Sequence, residues 1–201
     1  AAVLRLRAEA AMVWHEPWNM WLATTHASVT AVMKNRAFGR IWSDHEPVDQ
    51  MEPFNTLHRN QLMENEPPAH TRLRRLVAGA FGRGHVERMK PRIDVLARQM
   101  VDDLAARLDG GESVDILADY AEPMPVYVIA DLLGVPREDH EDLRRWSQGI
   151  VHMYEPNVGE EIRAEAVRSS TDFAAYVRDV VAHRRLNPGE DLITDSIAES
   201  A

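Results

Sequence analysis

The chain has 201 residues, with 23 Lys plus Arg against 32 Asp plus Glu, for a formal charge of −9. Apolar residues make up 45% and charged residues 27%, which suits a soluble globular protein and excludes disorder, a collagen-like chain or a disulfide scaffold. Cysteine is absent, so these residues supply no disulfide, zinc–thiolate site, iron–sulfur ligand or cysteine nucleophile. The length suits one domain burying roughly 70% of its unfolded surface. No window approaches the ~20 apolar residues of a membrane span. The first residues, Ala1-Ala2, lack both a Met and a signal-peptide core, and the last, Ser200-Ala201, fall inside a helical pattern. Both edges read as cut.

In chain order, Val3 to Ala10 reads as the tail of a helix. Ala11 to His15 and Met20 to Thr24, joined by Glu16-Pro17-Trp18-Asn19, read as a β-hairpin. Ser28 to Lys34 reads as a short helix with Val29, Val32 and Met33 on one face. Phe38 to Asn65 reads as a long loop with one short helix, and a long loop in a compact domain is often functional. From Pro67 the chain is mostly helical. Thr71 to Phe81 is one helix, ended by Gly82 and Gly84. The next carries Val86, Met89, Ile93, Leu96, Met100, Leu104 and Leu108 at spacings of three and four, and Gly110-Gly111 closes it. Ser113 to Asp115 reads as a short strand. Ala118 to Leu133 is an apolar helix with Pro123 and Pro125 near its start. Leu143, Trp146, Ile150 and Met153 mark another helix. Glu160 to Arg185 is a long one with Ile162, Ala166, Phe173, Val177 and Val180 inward. Asn187-Pro188-Gly189 stops it, and Asp191 to Ser200 begins one more.

The charge is uneven. Arg72 to Arg98 holds eight basic residues opposed only by Glu87 and Asp94. A basic zone on an acidic chain suits a specific anionic ligand or partner better than general nucleic-acid affinity. The nine histidines show no His-Glu-x-x-His or comparable spacing, and no phosphate-binding glycine loop is present.

The most informative stretch is Glu66-Pro67-Pro68-Ala69-His70-Thr71-Arg72-Leu73-Arg74-Arg75-Leu76-Val77. His70 and Arg74, four apart, share a helix face that Val77 and Phe81 continue inward, while Arg72 and Arg75 point to water. Two readings stand. One is an ion-pair or capping cluster with Glu64 or Glu66, which spacing alone favours. The other is a carboxylate clamp: a bidentate Arg fork, a His donor and a helix N-terminus.

This stretch, followed by AFGRGHVERMKPRID, resembles the C-helix region of bacterial cytochromes P450, the haem-thiolate monooxygenases. Three more stretches resemble the family in order: Trp21 to Thr24 with Val29 to Met33 and Phe38-Gly39; Asp119 to Pro125 with Ile129 to Pro136; and Arg184 to Ile193. The resemblance implies one partial P450 domain over residues 1–201, mainly α with a small β-hairpin, corresponding to the N-terminal half. It implies that His70 and Arg74 hold propionates of haem b. It makes Phe54, Leu62, Met63, Trp146, Met153 and Tyr154 substrate-pocket residues, for each of which a plain core or lid role competes. It places Arg72, Arg75 and Arg83 on a surface receiving an acidic ferredoxin-type electron donor, against the alternative of a merely solvated basic face. The implied setting is the cytoplasm, with a small apolar substrate, no membrane and no nucleic acid.

Departures limit what these residues can do alone. Ala69 stands where the family has an acid. The acid–Thr pair of the family's I helix, its Glu-x-x-Arg motif and its cysteine loop have no counterpart, so no metal ligand lies within these residues: the axial thiolate is outside them. The expected parent inserts one oxygen atom from O2 into a small organic substrate, while the 201 residues alone are inactive. The alternative is a non-catalytic truncated helical module that binds haem weakly or binds a partner. A nucleic-acid-binding helical domain is the weakest reading, given the −9 charge. A missing half would leave helix faces bare, so the isolated chain is expected to be poorly stable and prone to associate.

Overall fold

The computed structural model describes residues 2–78 and 83–200. It opens with helix α1 (Ala2–Glu9), then a two-stranded antiparallel hairpin of β1 (Met12–His15) and β2 (Met20–Ala23). The register pairs Met12 with Ala23 and His15 with Met20. Trp14 and Trp21 are directly opposite and meet edge-on at 5.7 Å between ring centroids. The expected join is a 3-10 turn, Glu16–Trp18, closed by Asn19 in the left-handed region at φ 48°.

Helix α2 (His26–Lys34) starts at a capping box in which the Thr25 and Ser28 side chains each accept a backbone N–H of the other. Ser28 Oγ also donates to Ala11 O at 2.8 Å, which fastens the helix to the hairpin. Of the apolar residues expected on one face, Val32 is half-buried while Val29 and Met33 are exposed, so that face is only partly covered.

The expected loop with one short helix is also corrected. Helix α3 (Val48–Asn60) runs 13 residues through Pro53. Its buried residues, Met51, Phe54, Asn55 and His58, fall at i, i+3, i+4 and i+7. Two of the four are polar, which hides the period from a reading of apolar residues. Asn55 is satisfied by the loop, accepting from His45 N at 2.9 Å and donating to His45 O at 3.1 Å. After the 3-10 turn Leu62–Glu64 comes α4 (Ala69–Ala78). Its expected continuation through Phe81 to Gly82 lies outside the described residues.

Helix α5 (Arg83–Asp109) buries Leu96 and Leu104 but leaves Leu108 exposed. Gly111, at φ 83°, ends it. The strand expected at Ser113 to Asp115 does not form, because the sheet of the described residues contains β1 and β2 alone. Asp115 instead starts a π-helical turn (Leu117–Ala121), accepting from Leu117 N at 2.9 Å. Helix α6 (Pro123–Leu133) follows, with proline in its first turn and Gly134 as a left-handed cap.

Helix α7 (His140–Val151), the 3-10 turn His152–Tyr154 and the 27-residue α8 (Glu160–Leu186) form the main packed body. One apolar cluster joins Met51 and Phe54 of α3 to Met153 and to Ala166 of α8. A second joins Ala130 of α6, Val135 and Leu143, with Phe173 and Tyr176 of α8 against it. Ser169 and Ser170, which apolar periodicity does not mark, are buried on α8. Helix α9 (Leu192–Ser200) begins where Asp191 Oδ1 accepts from Thr194 N at 2.8 Å.

Candidate functional site

Helix α4 leaves the Pro67-Pro68 segment with its backbone already paired: His70 N donates to Glu66 O and Arg72 N to Pro68 O, both at 3.1 Å. Leu73, Leu76 and Val77 form its half-buried stripe. His70 sits at the edge of that stripe and is half-buried, and Arg74 lies one step further round and is exposed. The expectation that Arg74 points inward is therefore corrected. At 100° per residue the packed stripe centres on Leu73 and leaves Arg74 at its rim. Val77 does face inward, against Leu133, Val181, Leu192 and Ile197 along a groove of about 540 Å3.

The carboxylates that could have neutralised this pair are engaged elsewhere. Arg40 Nε donates to Glu64 Oε2 and its Nη2 meets Glu64 Oε1, both at 2.7 Å. The backbone N of Arg40 donates to Glu66 Oε1, also at 2.7 Å. Gly39 makes this second contact possible, since a Cβ there would meet Glu66 Oε1 at 2.9 Å. Neither the His70 nor the Arg74 side chain has a polar partner among the described residues. The ion-pair cluster with Glu64 or Glu66 is thus absent. A half-buried imidazole and a guanidinium are left side by side on one helical rim, a donor set that fits the carboxylates of haem propionates.

Arg72 and Arg75 are exposed on the opposite side of α4. The side chain of Arg83 lies outside the described residues. Of the pocket candidates, Phe54 and Met153 come together in the first apolar cluster. Trp146 packs instead toward Phe173 and Tyr176, at centroid distances of 6.4 and 5.3 Å. Leu62 is half-buried, while Met63 and Tyr154 are exposed at 61% and 46%.

One polar cluster was not singled out from the sequence. His58, 2% exposed, lies between Trp42 and Phe54, with ring centroids 4.8 and 3.9 Å away. Its Nδ1 is 2.8 Å from Phe54 O and its Nε2 3.1 Å from Tyr154 Oη. Tyr154 Oη accepts from Gln61 Nε2 at 3.1 Å and lies 3.4 Å from Glu64 Oε1. Burial holds the His58 imidazole below its ordinary pKa, against the opposing pull of the Phe54 carbonyl and of Glu64. The available signal was the i, i+4 spacing of Phe54 and His58.

No family model matches the chain. Curated relatives do. The mycinamicin IV hydroxylase/epoxidase of Micromonospora griseorubida is 34% identical over 177 residues, covering 87% of this chain and 41% of its own length. Cytochrome P450 107B1 of Saccharopolyspora erythraea is 38% identical over 182 residues, covering 87% and 42%. Among solved structures, P450BioI in complex with an acyl carrier protein superposes with a TM-score of 0.86 at 22% identity, over 96% of this chain and 50% of that one. CYP109E1 from Bacillus megaterium, in complex with testosterone, gives 0.78 at 25% identity over 99% and 50%. The fold is therefore that of a cytochrome P450 over about half of its extent. Over most of its own length the chain matches bacterial cytochromes P450, and it spans about half the length of the curated relatives it matches.

Proposed function

We propose that these residues form the propionate-binding and part of the substrate-facing portion of a cytochrome P450 monooxygenase. The observation that carries the reading is the His70–Arg74 pair, aligned on α4 and left without a carboxylate because Arg40 engages Glu64 and Glu66. Arg74 offers a fork that grips one carboxylate in two places, and His70 adds a donor on the same rim. When bound, haem b would supply the oxygen and electron chemistry of this family, and His70 and Arg74 would hold its propionates; the residues present include no cysteine to supply a thiolate.

Phe54, Leu62, Met63, Trp146, Met153 and Tyr154 contribute walls for a small apolar substrate. Arg72 and Arg75, exposed and basic, steer an acidic ferredoxin-type donor, and Arg83 belongs to the same surface. Oxygen insertion is supported by relatives named as hydroxylases, among them the erythromycin C-12 hydroxylase of Saccharopolyspora erythraea, 30% identical over 183 residues. No described helix is long and apolar enough to cross a membrane, and the proposed setting is the cytoplasm.

Titration of the chain with haemin tests the clamp. His70→Ala and Arg74→Ala should each weaken binding about tenfold or more, the worth of a charge-assisted hydrogen bond. Binding equal to that of the unaltered chain in both variants would remove the basis for the assignment.

A further inference from the structure

The His58 cluster joins three segments that are distant in sequence: α3, the turn at residues 62–64 and the turn after α7. His58 and Tyr154 are 96 positions apart, and Glu64 and Tyr154 are 90 apart. We infer that His58, Tyr154 and Glu64 form a proton-controlled switch, in which the charge on His58 decides whether the Tyr154 hydroxyl donates to α3 or to the 62–64 turn. This goes beyond haem binding and does not depend on it.

Donor and acceptor identities set the two states. The carbonyl of Phe54 only accepts, so His58 Nδ1, 2.8 Å away, must carry a proton. In the neutral ring Nε2 is then a bare acceptor, and the partner that can fill it is the Tyr154 hydroxyl at 3.1 Å. Gln61 Nε2 donates to Tyr154 Oη and so does not compete for the hydroxyl proton. In this state Tyr154 is tied to α3, and Glu64 is held by Arg40 alone.

A proton added at Nε2 turns that atom into a donor. Tyr154 Oη must then accept from it, and its own proton turns to Glu64 Oε1, 3.4 Å away. A continuous chain results, from His58 through Tyr154 to the Glu64 carboxylate. The cluster takes up one proton and releases none, since the Tyr154 proton stays on Oη and only turns, and the polar atoms of the three side chains have partners in both states.

The surrounding charges permit two states. Glu64, from the 62–64 turn, favours the imidazolium, while Arg40, from the preceding loop, opposes it. Arg40 lies over the Tyr154 ring, 5.7 Å from its centroid. His45 on that loop meets the Phe54 ring edge-on; burial lowers its pKa, with Arg163 of α8 and His58 adding to the effect and Asp44 opposing it. Asp44 is occupied by Arg59, which on α3 also pairs with Glu52. Glu64 is thus the carboxylate of the cluster in reach of the Tyr154 hydroxyl, from which Oε1 can accept a hydrogen bond beside the Arg40 contact.

Nitrogen-15 spectra of the imidazoles and the carbon-13 shift of Tyr154 Cζ, followed against pH in the 201-residue chain, test this directly. Neutral His58 should carry its proton on Nδ1, and the Tyr154 Cζ shift should move with the His58 midpoint. Tyr154→Phe should lower that midpoint by about one unit, because the imidazolium loses its route to a carboxylate. An Nε2–H ring at high pH, a flat Tyr154 signal across the His58 titration, or an unmoved midpoint in Tyr154→Phe would each overturn the inference. If that variant does not fold, the two signals in the unaltered chain decide the matter.

Discussion

Arg40 grips Glu64 through two nitrogens at 2.7 Å, and 97% of the Glu64 side chain is shielded while half of Arg40 is open to water. The pair is asymmetric: Glu64 depends on Arg40 far more than the reverse. Arg40→Ala should therefore destabilise the chain by about 1–3 kcal/mol, the penalty of a buried polar group left unpaired. It should also weaken haemin binding, because the freed Glu64 carboxylate becomes available to His70 and Arg74, while Glu66 stays on the backbone N–H of residue 40. Adding Glu64→Gln should restore binding. Haemin titrations of the single and double variants check this, and a double variant as weak as the single one would show that Arg40 acts some other way.

Gly134 and Asp191 meet at the junction of α6, α8 and α9. Arg184 donates to Gly134 O at 2.7 Å and pairs with Asp191 Oδ2 at 2.6 Å, with both side chains mostly shielded. Gly134 has φ 71°, and a Cβ there would collide with the Asp191 carboxylate. Gly134→Ala should cost at least about 1–2 kcal/mol from the left-handed backbone alone, with the collision added. Asp191→Ala should cost about 3 kcal/mol or more, since it strands a shielded guanidinium and uncaps α9. Urea unfolding of each variant gives the numbers. A loss below 1 kcal/mol for Asp191→Ala would mean that Arg184 finds another partner.

The elements visible in the sequence were those with uniform apolar periods or punctuating residues. The hairpin announced itself through Glu16-Pro17-Trp18-Asn19, and α8 through its stop at Asn187-Pro188-Gly189. Helix α3 was obscured because its inner face mixes Met51 and Phe54 with Asn55 and His58, and polar residues enter a core only when distant partners satisfy them. Those partners, His45 and Tyr154, cannot be paired from one sequence. The same reason explains the site. His70 and Arg74 were legible as a pair, but that Arg40 would take both Glu64 and Glu66 depends on a loop 24 to 26 residues upstream. Ser169 and Ser170 were passed over because close helix packing selects small residues, which no hydrophobic period reports.

Burial holds both His58 and His45 below the ordinary imidazole pKa of 6.5. The unfolded chain takes up protons on these rings as pH falls through about 6.5, while the folded chain takes them up only at lower pH. Their contribution to stability is therefore complete above that value and is lost as pH falls toward the folded-state pKa values. The urea midpoint should drop between about pH 7.5 and pH 5.5. His58→Gln should flatten this slope even if it lowers the midpoint throughout. An equal slope in the variant would assign the pH dependence to other groups.

Helices α7 and α8 approach closely where Gly149 faces Ser169. A Cβ on Gly149 would collide with Ser169 Oγ and press on Ser169 Cβ at 3.0 Å. Ser169 cannot yield easily, since it is 1% exposed and its hydroxyl donates to Glu165 Oε1 at 2.9 Å. Gly149→Ala gains helix propensity of about 1 kcal/mol but must push the helices apart, and overpacking of this kind costs about 1–3 kcal/mol. Net destabilisation is expected. Gly159→Ala is the control: Gly159 precedes α8 at φ −76°, and nothing lies within 4 Å of the added Cβ. That change should alter stability by no more than about 1 kcal/mol. The two variants, compared by urea unfolding, separate a steric role of Gly149 from a general effect of replacing glycine. Equal midpoints would mean that the α7–α8 interface has slack that the Ser169 contact does not suggest.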